Sequence, residues 1–459
     1  MQDHFNFIVI GGGVSGSIIA EELVSNGHSV LMLEAGKFFY SNNYPRFDID
    51  SNSQMYWNGG VELTSDAEIG LVRPKMIGGG SIINGGLLDR FDDLAFEGFK
   101  DESGIKFFNN NEITPWFEKI ENKTSIVKVP EEFANKNADI FREGFKANGF
   151  TCNPLDRGQT DCRYNEGMDC IECLAGCPIN SKQSTMITYV RSALKKGLKV
   201  FSEFEVKKIE RGKIVKVHGT DRLDKKWSFS ADKLVLASGS IGNSKLLINS
   251  NFKNPNIGKR FYTHPQYMLM AEFNYDIDAY KGPLQSYKSD DVNFRNKGFK
   301  LENVFAPPAA ISVLFKGIQQ EHFYFMKNLR RFASIEVAIR DTNPGEIKVG
   351  KNNKTIVHKE LDAVDLKRKS MGYDAIKNIF YSQGAKRVIE GEFGIGLHLM
   401  GGCAIGVDGS KSVIDPEFRL HDEKNIFCAD SSIFPNAPGI NPSLTIMALS
   451  KMAAQKYIK

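Results

Sequence analysis

The chain has 459 residues, more than one ordinary core accommodates, so two interleaved domains are expected. Its 59 basic and 55 acidic side chains leave a formal charge of +4, which supports neither a nucleic-acid footprint nor an electrostatic hold on a membrane. Hydrophobic residues make up 41%, yet no run approaches the roughly eighteen apolar residues of a membrane span.

The opening, MQDHFNFIVIGGG, has an apolar run too short for a signal peptide, so a cytoplasmic protein is expected. Seven cysteines, an odd count, argue against a disulfide framework. Residues 5–10 form a short apolar, β-branched run that predicts a buried strand. Val14, Ile18, Ile19 and Leu23 follow at helical spacing, and Gly27 marks the helix stop. SVLMLE (29–34) predicts a second buried strand. This strand–helix–strand unit opens a parallel sheet.

Gly11, Gly13 and Gly16 make a GxGxxG between the first strand and the helix. The first glycine allows the tight turn, the second lets backbone approach a pyrophosphate, and the third lets helix and strand pack. The helix N-terminus, with Ser15 in its first turn, suits an anion. Glu34 ends the second strand, placed to bind ribose hydroxyls, and Ala35 follows it. NAD and FAD both fit this unit. A second glycine loop, IGGGSIINGG (77–86), favours FAD, because Gly79, Gly80, Ser81, Asn84, Gly85 and Gly86 let backbone approach a flat ring system. An NAD dehydrogenase leaves that loop unexplained.

Further along, 131–149 reads as a helix capped by Pro130, and 181–197 as another. LKVFSEFEVKKIERGKIVKVHG alternates apolar and polar residues, a hairpin-like pair of strands. DKLVLASGS (232–240) is a buried strand ending in Ala237 and Gly239. Residues 265–395 carry no glycine-loop signal and mix aromatic and β-type residues, as in an antiparallel sheet. Within them 333–349 reads as strand, turn at NPG, strand, and 365–385 as one helix. NIFCADSSIFP (425–435) is a buried strand, and 441–457 a closing helix with Pro442 at its first turn.

KMIGGGSIINGG (75–86), GLHLMGGCAIG (396–406) and GINPSLTIMALSKMAA (439–454) resemble segments of the glucose–methanol–choline (GMC) oxidoreductases, FAD enzymes that oxidise alcohols. FEVKKIE (204–210), with Val206, sits where that family packs a strand on the adenine. CADSSIFP, with Asp430, resembles the strand whose Asp approaches the ribityl and phosphate groups. The resemblance makes His398 the catalytic base, with Asn441, followed by Pro442, bonding the substrate oxygen beside it. Asn84 and Gly85 then face the flavin ring near N5, which takes the hydride. Elementary chemistry agrees: alcohol oxidation needs a base for the hydroxyl proton, and neutral imidazole suits the task. Leu399 and Gly402 depart from the family's usual Pro and Thr, without removing a reacting group. His264, in THPQ, reads as structural, at the crossing into the substrate domain.

DCIECLAGCP (169–178) puts Cys170, Cys173 and Cys177 within eight residues, with Cys152 and Cys162 upstream. The run resembles the tail of a ferredoxin cluster segment with one step missing. Some GMC sugar dehydrogenases carry an iron–sulfur cluster on such a segment, whereas long-chain alcohol oxidases have a similar loop without one. The spacing favours a folded loop and no metal.

The expected architecture is α/β: a discontinuous Rossmann-like FAD domain (1–90, 196–262 and 396–459) and a substrate domain on an antiparallel sheet (91–195 and 263–395). The expected function is FAD-dependent oxidation of an alcohol, a sugar or cyclitol hydroxyl first, with a hydrophobic long-chain or aromatic alcohol as the alternative. A lyase that keeps FAD without redox turnover is the rival from another class. The electron acceptor, oxygen or a redox partner, stays open, as does the oligomeric state.

Overall fold

The computed structural model describes residues 4–45, 48–162, 170–315 and 317–458. The first strand, His4–Ile10, lies between Val30–Leu33 and Lys226–Leu236 and runs parallel to both. Lys199–Phe201 extends the sheet beyond Val30–Leu33, and Glu423–Cys428 extends it beyond Lys226–Leu236, again in parallel. Every residue of Val30–Leu33 is buried, as a parallel sheet covered on both faces requires. Phe204–Glu210 and Val215–Asp221 form the expected hairpin, joined antiparallel to the early part of Lys226–Leu236. The helix Val14–Ser25 packs against the closing helix Ser443–Ile458, which also meets Asn110–Lys123.

The second sheet is built around one long strand, Lys259–Glu272. Four strands pair with it antiparallel: Phe332–Ile339, Gly345–Val349, Arg387–Glu390 and Gly394–Met400. Phe299–Glu302 pairs onto the outer side of Phe332–Ile339. The two strands expected in 333–349 are both present, but they do not pair with each other across NPG. Each instead takes a place on the long strand, where apolar side chains such as Ile335, Val337 and Ile347 are buried. The single helix expected at 365–385 is Ala363–Ser382, capped by the Asp362 carboxylate on the Asp365 N–H.

Two other helices are shorter than their sequence suggests. The stretch after Pro130 is a single 3₁₀ turn, and the helix starts at Lys136 because Asn135 accepts from the Ala138 N–H. At 181–197 the helix spans Met186–Val190 as a π turn and then Arg191–Lys195. Residues 181–184 are held off it by loop contacts, including the Gln183 N–H to the Gly158 carbonyl. The domain boundary expected at 90/91 does not coincide with the division between cores. Phe91, Phe96, Phe99, Phe117 and Tyr189 share the core of the first sheet, whereas Phe141 and Phe145 belong to the second.

The long strand is anchored beside His264 by a buried ion pair. Lys359 Nζ lies 2.8 Å from Asp341 Oδ1, with both side chains fully buried, and Asp341 Oδ2 accepts from the Thr263 N–H at 3.1 Å. Lys359 also donates to the Asn343 and Glu360 carbonyls at 2.6 and 2.7 Å. Removing one partner of such a pair strands the other. Lys359→Met is therefore expected to cost about 3–5 kcal/mol. Urea denaturation checks this, and a loss below about 1 kcal/mol would show that the pair is not an anchor.

Candidate active site

The first glycine loop is shaped by contacts that admit no side chain. Gly11 has φ +104°, and a Cβ there would sit 2.3 Å from the Ala237 carbonyl oxygen. A Cβ on Gly16 would lie 2.0 Å from the Gly11 carbonyl oxygen. Gly13 differs: a Cβ there meets nothing within 4 Å, because the residue lines a cavity of about 1180 Å³. The second glycine loop leans directly on the first. The Gly78 N–H donates to the Gly12 carbonyl at 2.7 Å, and a Cβ on Gly79 would lie 2.8 Å from Gly13 Cα.

The cavity gathers most of the expected cofactor residues: Gly11, Gly13, Ser15, Glu34, Ala35, Gly79, Gly80, Asn84, Gly85, Val206, Ala237, Gly239, Asp430, Asn441 and Pro442. Gly16, Ser81 and Gly86 do not line it. Gly16 serves helix packing, as its contact shows. Ser81 turns its hydroxyl inward to the Gly78 carbonyl at 2.6 Å and accepts from the Thr185 N–H. The Gly86 N–H is taken by Asn84 Oδ1 at 3.0 Å. Glu34, expected to bind ribose hydroxyls, accepts from two main-chain groups, Gly12 at 2.8 Å and Gly36 at 2.7 Å, and so also braces the first glycine loop. Burial raises its carboxyl above the ordinary range. Asp430 similarly accepts from the Gly239 N–H at 2.7 Å and from Asn243 at 2.9 Å.

The donors and openings along this groove fit a dinucleotide. Ser15 Oγ is buried without a partner among the described residues, and Gly13 leaves room beside it. An anion at the helix N-terminus satisfies both features.

The opposite wall comes from the second sheet. Pairing between Lys259–Glu272 and Gly394–Met400 shifts register: Tyr262 faces Met400, whereas His264 faces Leu397. This bulge holds His398 at φ +55°, the left-handed region, and redirects its ring. His398 lines the cavity, and its Nδ1 lies 3.0 Å from Nδ1 of His264. Burial and the Lys300 charge push His398 down to about 4, against an opposing pull from Glu302. Burial likewise holds His264 well below the usual histidine range. His264 does not itself line the cavity; it meets the site through the His398 ring.

Asn441 is not bonded to His398. Its Oδ1 accepts from Lys300 Nζ at 2.7 Å, and its Nδ2 lies 3.4 Å from Glu302 Oε1. Lys300 Nζ also lies 2.7 Å from Glu302 Oε1. Glu302 and Glu336 stand opposite each other on neighbouring strands, buried and facing the cavity. Burial pushes Glu302 up, but Lys300 outweighs it and the carboxyl sits below its usual range. Burial and the Glu302 charge hold Glu336 well above it. Sequence reasoning missed Lys300, Glu302 and Glu336; the available signal was charge inside the apolar strands FKLE and FASIEVAI.

Leu174, Ala175, Gly176 and Pro178 of the cysteine loop line the cavity. Buried Lys182 ties that loop to the second glycine loop, donating to Cys173 O at 2.5 Å, to Asn84 O at 2.9 Å and to Ile82 O. The Cys170 side chain and Asp169 lie outside the described residues. Among the described ones, no group of three or more His, Cys, Asp or Glu is placed to hold a metal.

Comparison with known proteins names this arrangement. Sequence models of the N- and C-terminal domains of GMC oxidoreductases match residues 5–266 and 347–450. The chain is a GMC oxidoreductase. Members of this family are FAD enzymes, and this one is an FAD-dependent oxidoreductase acting on alcohol-type substrates. An uncharacterised GMC-type oxidoreductase of Mycobacterium tuberculosis is 24% identical, over 98% of this chain and 75% of its own length. A long-chain-alcohol oxidase of Arabidopsis thaliana is 24% identical, over 98% and 67%. The fructose dehydrogenase large subunit of Gluconobacter japonicus is 22% identical, over 98% and 97%. The crystal structure of pyridoxine 4-oxidase from Mesorbium loti shares the fold, with a TM-score of 0.78 over 98% of this GMC chain and 99% of its own, at 16% identity. No helix among the described residues is long and apolar enough to cross a membrane.

Gly13→Val fills the opening beside Ser15 and is expected to yield protein without flavin. Absorbance near 450 nm after purification and FAD addition checks this; full flavin occupancy in the variant would sink the assignment of the groove. Iron and acid-labile sulfide analysis of anaerobically purified protein is expected to find neither, and stoichiometric iron with sulfide would reverse the reading of the cysteine loop.

Proposed function

We propose that this GMC oxidoreductase oxidises a CH–OH group to a carbonyl, with a sugar or cyclitol hydroxyl as the best fit. One observation carries the reading: His398 and Asn441 line the same cavity as the two glycine loops. When bound, FAD supplies the acceptor of the hydride at its N5. Gly11, Gly13 and Ser15 would hold its pyrophosphate and Glu34 its ribose, and Asn84 and Gly85 would face its ring. Asn441 and His398 hold the substrate oxygen, and His398 takes the hydroxyl proton.

Support for a polyhydric substrate comes from Gln266, Gln285, Glu302 and Glu336, all lining that cavity. The fructose dehydrogenase relative is named for a sugar. A hydrophobic alcohol is the second reading. Met268, Leu284, Val304, Ala306 and Pro307 favour it, since they give the cavity an apolar side, and so does the long-chain-alcohol oxidase relative. Anaerobic titration of the flavoprotein with sugars, cyclitols and aliphatic alcohols tests both. Bleaching of the flavin by one class selects that reading; no bleaching by any of them overturns both substrate readings.

His398→Ala is expected to keep its flavin and to lose roughly 10²–10⁴-fold in anaerobic flavin reduction. Asn441→Ala is expected to lose less, one positioning bond being removed. Wild-type rates in His398→Ala would remove this residue from the chemistry.

The pH profile carries a second expectation. The neutral ring is the proton acceptor, and burial moves its protonation down to about 4. The rate of flavin reduction attributable to His398 should therefore stay level from neutral pH downward and fall only as pH approaches 4. A fall centred near 6.5 would mean a solvated ring and would contradict the buried one.

A further inference from the structure

The hydrogen bonds behind His398 determine where its proton sits. The Gly439 main-chain N–H lies 3.0 Å from His264 Nε2. An amide nitrogen only donates, so His264 Nε2 is bare, and a neutral His264 carries its proton on Nδ1. That Nδ1 lies 3.0 Å from His398 Nδ1. Two N–H groups do not bond head to head, so His398 Nδ1 accepts. A neutral His398 then keeps its proton on Nε2. Burial, the largest influence on both rings, favours the neutral form of each. Among the described residues nothing else hydrogen-bonds His398 Nε2, and the ring lines the cavity.

Asn441 is wired in the same sense. Its carbonyl oxygen is occupied by the Lys300 ammonium at 2.7 Å, and its amide nitrogen, which carries two N–H groups, lies 3.4 Å from Glu302 Oε1. One N–H is left for a ligand.

We propose that His264 and Lys300 are positioning residues that turn His398 and Asn441 into a pair of N–H donors, so that the resting enzyme grips the substrate oxygen twice. The proposal rests on the alcohol-oxidation reading and deepens it. The two donors hold that oxygen in the resting enzyme; when its proton leaves, Asn441 still donates to it, and His398 Nε2, once it has taken the proton, donates to it again. His398 takes that proton from the other tautomer of the pair. In that tautomer each ring still carries one proton, His398 on Nδ1, shared with His264 Nδ1, and His264 on Nε2, which breaks its bond to the Gly439 N–H. The proton count and net charge of the pair are the same in both tautomers. His264 thereby sets how often His398 is ready to act as a base.

The test uses the FAD-loaded enzyme with ¹⁵N-labelled histidine, read by long-range ¹H–¹⁵N NMR, with His398→Gln identifying the His398 signals. The expected result is a bare Nδ1 and a protonated Nε2 on His398, with the reverse on His264. A bare Nε2 on resting His398 overturns the proposal. The second measurement titrates acetate, whose oxygens only accept, into the oxidised holoenzyme while following flavin absorbance. Binding to the wild type that weakens roughly tenfold in Lys300→Met supports the double grip. Acetate that fails to bind the wild type, or binds Lys300→Met equally well, overturns it. His264→Gln should redistribute the His398 tautomers, and the wild-type NMR result decides the matter if that variant does not fold. The predicted tautomers in an enzyme whose flavin no alcohol bleaches would sink the reaction while leaving the wiring intact.

Discussion

Two main-chain segments in this protein touch more closely than side chains allow. The Gly78 N–H reaches the Gly12 carbonyl at 2.7 Å, and Gly79 sits where any Cβ would collide with Gly13. This contact joins the nucleotide-binding turn at 11–16 to the loop at 77–86. Because the two loops share one hydrogen bond, the groove between the sheets has a continuous backbone floor. A methyl group at Gly79 would push the loops apart, and every residue that reaches the groove from Gly80 onward would move with it.

Across the groove the logic changes from main chain to charge. The second sheet brings Lys300, Glu302, Glu336, His264 and His398 to one wall, all in a setting that punishes unpaired charge. The wall answers with pairing: Lys300 against Glu302 and Asn441, and His264 against His398 and Gly439. The register of the long strand Lys259–Glu272 decides these meetings. A one-residue slip would turn His264 to the other face of the sheet and leave His398 without its partner. The Lys359–Asp341 pair, bonded to the Thr263 N–H, holds that register next to the histidine.

The first half of this design was legible in the sequence because it is local. The glycines at 11, 13 and 16 lie between a strand and a helix that announce themselves by spacing, and Glu34 follows on the next strand. The closing helix and the His398 and Asn441 segments were legible through family likeness. The charged wall was not. Lys300 and Asn441 are 141 positions apart, and Glu302 meets Glu336 only through strand pairing. The alternating Lys and Glu of FKLE read as the solvent face of an edge strand, although here both turn inward toward Asn441. The strands on either side of NPG suggested a hairpin for the same reason: local turn chemistry was visible, whereas the partner they share lies some seventy residues earlier. The roles of Ser81 and Gly86 were overread because glycine-loop composition does not say which atoms face inward.

Lys182 gives the cysteine loop a character that its composition hides. An ammonium that donates to carbonyls of both loops cannot let either one go without being left charged in an apolar interior. The segment Leu174–Pro178 is therefore masonry and not a door. One buried amine thus fixes this stretch of the cavity wall to the loop that starts at Ile77.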